Sequence, residues 1–126
     1  MGKASRDKGG RGERELAKKL SDYGIPSERG VQRSGSPDSP DVKTAYDYMW
    51  HIECKRTERL QLWPALEQCE EDSGDDQIPV VMHRPNSKPW LAITYLCDFV
   101  NLVHKANMYD KLCKDNPDAQ IPHVTD

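Results

Sequence analysis

Residues 50–56 read Trp50-His51-Ile52-Glu53-Cys54-Lys55-Arg56, and their alternation sets the frame for the rest of the chain. Trp50, Ile52 and Cys54 fall on one side of an extended segment, and His51, Glu53 and Lys55 on the other, the period of a β-strand. C-terminal to it, residues 60–72 space Leu62, Trp63, Leu66 and Cys69 as one side of a helix, with Pro64 in its first turn and Ser73-Gly74-Asp75-Asp76 ending it. Ile78–His83 is an apolar strand. Arg84–Pro89 is a turn and Trp90–Thr94 a returning strand, so the two form a hairpin. Leu96, Phe99, Val100 and Val103 then mark a helix over 96–106. N-terminal to the opening strand, residues 45–49 turn the chain and Asp41–Thr44 begins another strand. Residues 34–41, SGSPDSPD, are a loop by their Pro, Gly, Ser and Asp content, and Val31–Arg33 is a candidate short strand before it. Leu16, Ala17 and Leu20 give an amphipathic helix over Arg11–Tyr23, stopped by Gly24 with Pro26 beyond. The order predicts an α/β fold, a central mixed β-sheet flanked by helices.

At 126 residues the chain is the size of one domain. We expect a flexible basic arm over 1–10, a folded domain over 11–114 and a polar C-terminal tail over 115–126. Hydrophobic residues make up 36% and charged residues 31%, and the mean hydropathy is −0.87, so the core must be small. No apolar run approaches a membrane span, and the N-terminus lacks the apolar centre of a secretory signal. A cytoplasmic protein, of a bacterial or archaeal cell or a phage-infected host, is the expectation. The four cysteines, at 54, 69, 97 and 113, form no close pair of the kind that zinc ribbons use. The net charge of −3 argues against a nucleic-acid binder until it is resolved along the chain. Residues 1–33 carry nine Lys/Arg against five Asp/Glu, whereas residues 58–126 carry six against twelve. A basic first quarter on an acidic body is polarised, and the basic part suits phosphates.

Glu53 and Lys55 leave the same face of one strand, which fixes a carboxylate and an ammonium side by side. Alone, such a pair is an ordinary surface ion pair. Asp41 changes the reading. It follows a proline, opens a strand, and a short antiparallel turn brings it opposite Glu53. Two neighbouring carboxylates repel unless a cation or proton lies between them. Hard oxygen ligands of this kind suit Mg²⁺ or Mn²⁺, and such an ion can polarise a phosphate and activate water. Lys55 would orient that water or offset developing negative charge. Glu13 shares the stripe of Leu16, Ala17 and Leu20 and so faces inward, either to pair with Lys or Arg or to reach a metal site.

The set Glu13 in GRGERELAKKL, then RSGSPDSPDV, then HIECK, resembles the PD-(D/E)xK nuclease superfamily. Within it the likeness is to archaeal-type and phage Holliday junction resolvases. It covers about residues 8–57 closely and the remainder loosely. The resemblance implies a single restriction-endonuclease-like domain, a homodimer, and a Mg²⁺-dependent DNA endonuclease acting on four-way junctions, with Mn²⁺ as a substitute. It implies that Asp41 and Glu53 hold the metal with the Cys54 backbone carbonyl, and that Lys55 is the catalytic lysine. Glu13 would act through water or a second ion, and Ser34 would approach the scissile phosphate. It also implies DNA contacts from Lys8, Arg11, Arg14, Arg33 and Arg56. Between the two Pro-Asp pairs, Asp41 is favoured because Val42 continues it into a strand, whereas Asp38 suits a turn.

Rival readings are a restriction-like or repair endonuclease on duplex or flap DNA, a catalytically silent DNA-binding module, and a structural domain in which Glu53–Lys55 is a plain ion pair. His51 is expected to be a surface histidine at the strand end, Gln68 a solvated helix residue, and Trp63 and Trp90 core or interface residues.

Overall fold

A computed structural model describes residues 3–30, 39–116, 118 and 122–126, without the side chains of 3–8. The chain runs α1 (Lys3–Asp22), β1 (Ser27–Arg29), β2 (Val42–Thr44), β3 (Trp50–Lys55), α2 (Leu62–Asp72), β4 (Ile78–His83), β5 (Leu91–Ile93) and α3 (Leu96–Cys113). This is the mixed α/β fold read from the sequence. β3 and β4 are parallel, with Ile52 opposite Val80 and Lys55 opposite His83, and α2 is the crossover between them. β5 returns antiparallel to β4, which completes the expected hairpin. β1 and β2 form a separate antiparallel ribbon, with Arg29 opposite Val42. The candidate strand at 31–33 lies outside the described residues, and the partner of β2 is the preceding Ser27–Arg29.

The three-stranded sheet is covered on both faces. Leu16, Ala17 and Leu20 of α1 pack with Val42, Ile52, Val80 and Met82 on one side. Ala65, Leu66 and Cys69 of α2 pack with Val81 on the other. Two-sided burial explains why β4 is almost continuously apolar, as parallel strands are. It also corrects the reading of His51, which is 1% exposed rather than a surface histidine. Its backbone carbonyl accepts from the Cys69 thiol of α2 at 3.3 Å.

The first helix begins at Lys3, so the segment expected to be a flexible arm is helical from its third residue. The glycines there serve close packing. Gly10 and Gly12 are buried, and a Cβ on Gly12 would sit 2.5 Å from Cβ of Arg56. At the other end Gly24 adopts φ +93°, with Gly24 N–H donating to the Ser21 carbonyl at 3.0 Å and Ile25 N–H to that of Leu20 at 2.9 Å. That pair of bonds is a Schellman cap, and it turns the chain into β1. The third helix extends to Cys113, past the expected 106, and contains no buried residue. None of the described helices is long and apolar enough to cross a membrane.

Candidate active site

The site lies where the β1–β2 ribbon meets the free edge of β3. Backbone geometry creates the meeting point. The Lys55 and Met49 carbonyls accept from Arg84 and Ile78 on the β4 side. Alternate residues of β3 therefore aim their backbone groups at the opposite edge. There the Ile52 carbonyl accepts the Asp41 N–H at 3.1 Å, and the Cys54 N–H donates to Asp41 Oδ2 at 2.8 Å. The Cys54 carbonyl belongs to the same edge. Asp41 is placed by Gly30, whose N–H donates to the Asp41 carbonyl at 2.9 Å. A Cβ on Gly30 would lie 2.0 Å from the Pro40 carbonyl oxygen, so the close crossing of β1 and β2 needs glycine here.

Glu53 stands beside this edge with its side chain 17% exposed and Lys55 Nζ 3.5 Å from its carboxylate. Its pKa is pushed up from the ordinary 4.5 to about 7, first by burial and then by the Asp41 charge, against the opposing pull of Lys55. The same causes, burial first and then the Asp41 charge, push the Cys54 thiol up and keep it protonated. Glu13 is 7% exposed, as its place on the apolar stripe predicted. Burial raises its pKa, and a 2.5 Å bond from Arg29 Nε lowers it; the Asp41 charge raises it further.

Among the described residues, no three acidic, His or Cys side chains form a metal-enclosing cluster. The donors that do converge are Asp41, Glu53 and the edge carbonyl of Cys54. That set fits a hard divalent cation such as Mg²⁺, which commonly takes one or two carboxylates and completes its shell with water and substrate oxygens. Beside it, Lys55, Arg59, Gln61 and Gln68 border an open groove of about 360 Å³. Gln68 is exposed on α2 and donates to Asp72, as a solvated residue does.

Arg56 is half-buried, with its guanidinium bonded to Glu15 at 3.3 Å, the Arg84 carbonyl at 3.1 Å and Asn86 Oδ1 at 3.0 Å. Arg84 also binds Glu15. This clamp ties the turn of α1 after Glu13 to the end of β3 after Lys55. Arg11 and Arg14 are exposed on α1. Arg33, Ser34 and Asp38 lie outside the described residues, as does the Lys8 side chain. Sequence reasoning missed Arg29 as the partner of Glu13, and the Glu15–Arg84 half of the clamp. Both contacts join residues far apart in sequence, so no local spacing announces them.

No family model matches the chain, and no curated protein matches it. Among solved structures it is similar to Hjc of Archaeoglobus fulgidus, a Holliday junction resolvase from an archaeal hyperthermophile. The two share 25% identity with a TM-score of 0.53, over 69% of this chain and 72% of that one. The likeness is consistent with a nuclease-like fold for this protein.

Proposed function

We propose that this protein is a metal-dependent DNA endonuclease of the PD-(D/E)xK type that cuts four-way junctions as a homodimer. One observation carries the reading. Asp41, beside the β1–β2 ribbon, is bonded to the backbone between Glu53 and Lys55 of another sheet, and after burial the charge it brings is the next cause of the raised Glu53 pKa. A structural ion pair does not require that second carboxylate. The similarity to the archaeal resolvase supports the same reading.

In this mechanism Asp41 and Glu53, with the Cys54 carbonyl, hold Mg²⁺, for which Mn²⁺ would substitute. When bound, the ion polarises the scissile phosphate and lowers the pKa of the attacking water. Glu53 would have to be ionised to serve as a ligand, so its raised pKa would make metal binding weaker as pH falls. Lys55 orients the water for in-line attack on phosphorus and offsets the charge that gathers on the phosphoryl oxygens, and the 3′-oxygen leaves. Arg29 positions the Glu13 carboxylate at the rim, where it would act through water. Exposed Arg11 and Arg14 contact the DNA backbone, so affinity falls with added salt.

The test is cleavage of a labelled four-way junction with Mg²⁺, beside linear duplex and flap DNA, for wild type, Asp41→Asn and Lys55→Ala. Paired symmetric nicks near the branch point, lost in both variants, are the expected result. Equal cutting of all three substrates would keep a nuclease and remove junction selectivity. No metal-dependent cutting of any substrate would refute the catalytic reading and leave a DNA-binding module.

A further inference from the structure

Lys55 belongs to two places at once. Its Nζ lies 3.5 Å from the Glu53 carboxylate, and the same side chain lines the neighbouring groove. The floor of that groove is apolar, made of half-buried Leu60, exposed Pro64 and buried Ala65. Its rim is Arg59 with uncharged Thr57, Gln61 and Gln68. No acidic side chain lines it, on a chain where 21 Asp and Glu outnumber 18 Lys and Arg. The larger groove between α1 and the 84–89 turn mixes Glu15, Asp22 and Asp126 with its cations. The one by the end of α2 holds Glu70, Asp75 and Asp98. The segment that carries Arg59 is fastened through its backbone and through Glu58. The Thr57 hydroxyl donates to the Arg59 carbonyl at 3.3 Å, and the His83 ring bonds the Thr57 carbonyl at 2.8 Å. The Glu58 carboxylate accepts the Asn86 N–H at 2.7 Å. Arg59 itself is exposed, and among the described residues none pairs with its guanidinium.

We infer that this groove seats the nucleotide adjoining the scissile phosphate, with its sugar laid on Leu60, Pro64 and Ala65 and its far phosphate bound by Arg59. An exposed arginine is ordinarily only solvated. This one stands on an anchored segment, in the wall of an acid-free groove that opens on the candidate centre. A strand whose scissile phosphate sits at Lys55 must continue over a neighbouring surface, and a wall without negative charge is the one that admits the next phosphate. The guanidinium fork matches phosphate oxygens, and an anchored segment loses little freedom when the contact forms. The apolar floor offers the sugar ring a surface that needs no polar partner. Arg59 lies away from the reacting bond, so it supplies affinity and position. The inference rests on the nuclease reading above and adds a subsite to it.

The experiment is fluorescence anisotropy of a labelled four-way junction bound by the full chain, without metal, over a range of salt concentrations. Arg59→Ala is expected to bind about tenfold more weakly and to lower the salt slope by about one, the loss of one phosphate contact. Pro64→Glu is expected to weaken binding at least as much, because it sets a carboxylate in the groove. Glutamate suits the first turn of a helix, so this variant keeps its fold. Lys88→Ala, in the groove on α1, is expected within about twofold of wild type. A second measurement ties Arg59 to one phosphate. Replacing a single phosphate beside the cleaved bond by an uncharged methylphosphonate is expected to lower wild-type kcat/KM about tenfold and to cost Arg59→Ala nothing further. At saturating junction the kcat of Arg59→Ala is expected within about threefold of wild type. Wild-type affinity and slope in Arg59→Ala overturn the inference and leave the nuclease reading standing. So does a methylphosphonate penalty that persists in that variant on both sides of the cleaved bond. Binding that depends on Arg59 and Pro64, with no cleavage of any DNA, refutes the nuclease reading and keeps the groove as a DNA-strand site. No binding of DNA by wild type removes both.

Discussion

Replacing Glu53 by Gln should stabilise the protein at alkaline pH while abolishing any metal site that depends on it. In the folded chain the Glu53 pKa lies near 7 against an ordinary 4.5. A raised carboxylate pKa means that the native state holds its proton longer than the unfolded chain does. Stability from this group is full below about 4.5 and is lost as pH rises through 7. At about 1.4 kcal/mol per pH unit, the loss at pH 8 is about 3 kcal/mol, and at pH 5 below about 1 kcal/mol. Glutamine is neutral at every pH and keeps the shape. It gives up the Lys55 contact at 3.5 Å, but Lys55 is 40% exposed and such a pair contributes about 1 kcal/mol at most. The net expectation is a gain of about 2 kcal/mol at pH 8 that vanishes by pH 5. Urea unfolding of both proteins at the two pH values measures it. A variant no more stable than wild type at pH 8, or a gain equal at both pH values, would refute the assignment of a strained, buried carboxylate.

Arg29→Met should leave the Glu13 carboxylate buried without its guanidinium, costing about 2 kcal/mol at alkaline pH and less as pH falls, because burial already raises the Glu13 pKa; urea midpoints across the pH range check it. Gly30→Ala should cost more than about 2 kcal/mol by forcing β1 away from Pro40, and the Cys54 amide resonance should move as its bond to Asp41 lengthens. Arg56→Ala should lower stability by about 2 kcal/mol and leave the salt dependence of DNA binding unchanged, whereas Arg14→Ala should spare stability and reduce that slope by about one. Mg²⁺ should raise the melting temperature more at pH 8 than at pH 6, because below about 7 the ion competes with the Glu53 proton. Asp41→Asn should remove the effect.

Much of the arrangement is legible in the sequence because it rests on local periodicity. The alternation over 50–56, the continuous apolar run over 78–83 and the turn between 84 and 89 fix β3, β4 and β5 within a residue or two. Glu13 announces its burial by its place on the stripe of Leu16 and Leu20. What the sequence hides depends on contacts between distant segments. His51 alternates like a surface residue, and only the docking of α2 on that face of β3 buries it. Arg56 looks like one more basic residue beside the catalytic pair. Its role in the clamp needs Glu15 to arrive from α1, and Arg84 and Asn86 from the turn between β4 and β5. Gly10 and Gly12 suggest a loose arm by composition, yet they let the helix approach its neighbours. The apolar spacing of α3 identifies the helix, but periodicity cannot say whether its partner lies in the same chain.

Asp41 stitches the β1–β2 ribbon to the three-stranded sheet, with its N–H on Ile52 and its carboxylate on Cys54. The candidate centre therefore straddles a seam. On one side β3, α2, β4 and β5 are consecutive in the chain. On the other, α1 and the ribbon precede them and dock through Leu16, Ala17, Leu20 and Val42 against Ile52, Val80 and Met82, and through Asp41. Such units open with different free energies. Separation along this seam would disperse Asp41 from Glu53 and Lys55 while β3 and β4 stay paired. The centre would then exist only while the two units are closed. In hydrogen exchange the Cys54 amide, bonded to Asp41, should exchange faster than the Val80 and Met82 amides of the central strand, and a bound cation should slow it by holding both sides together.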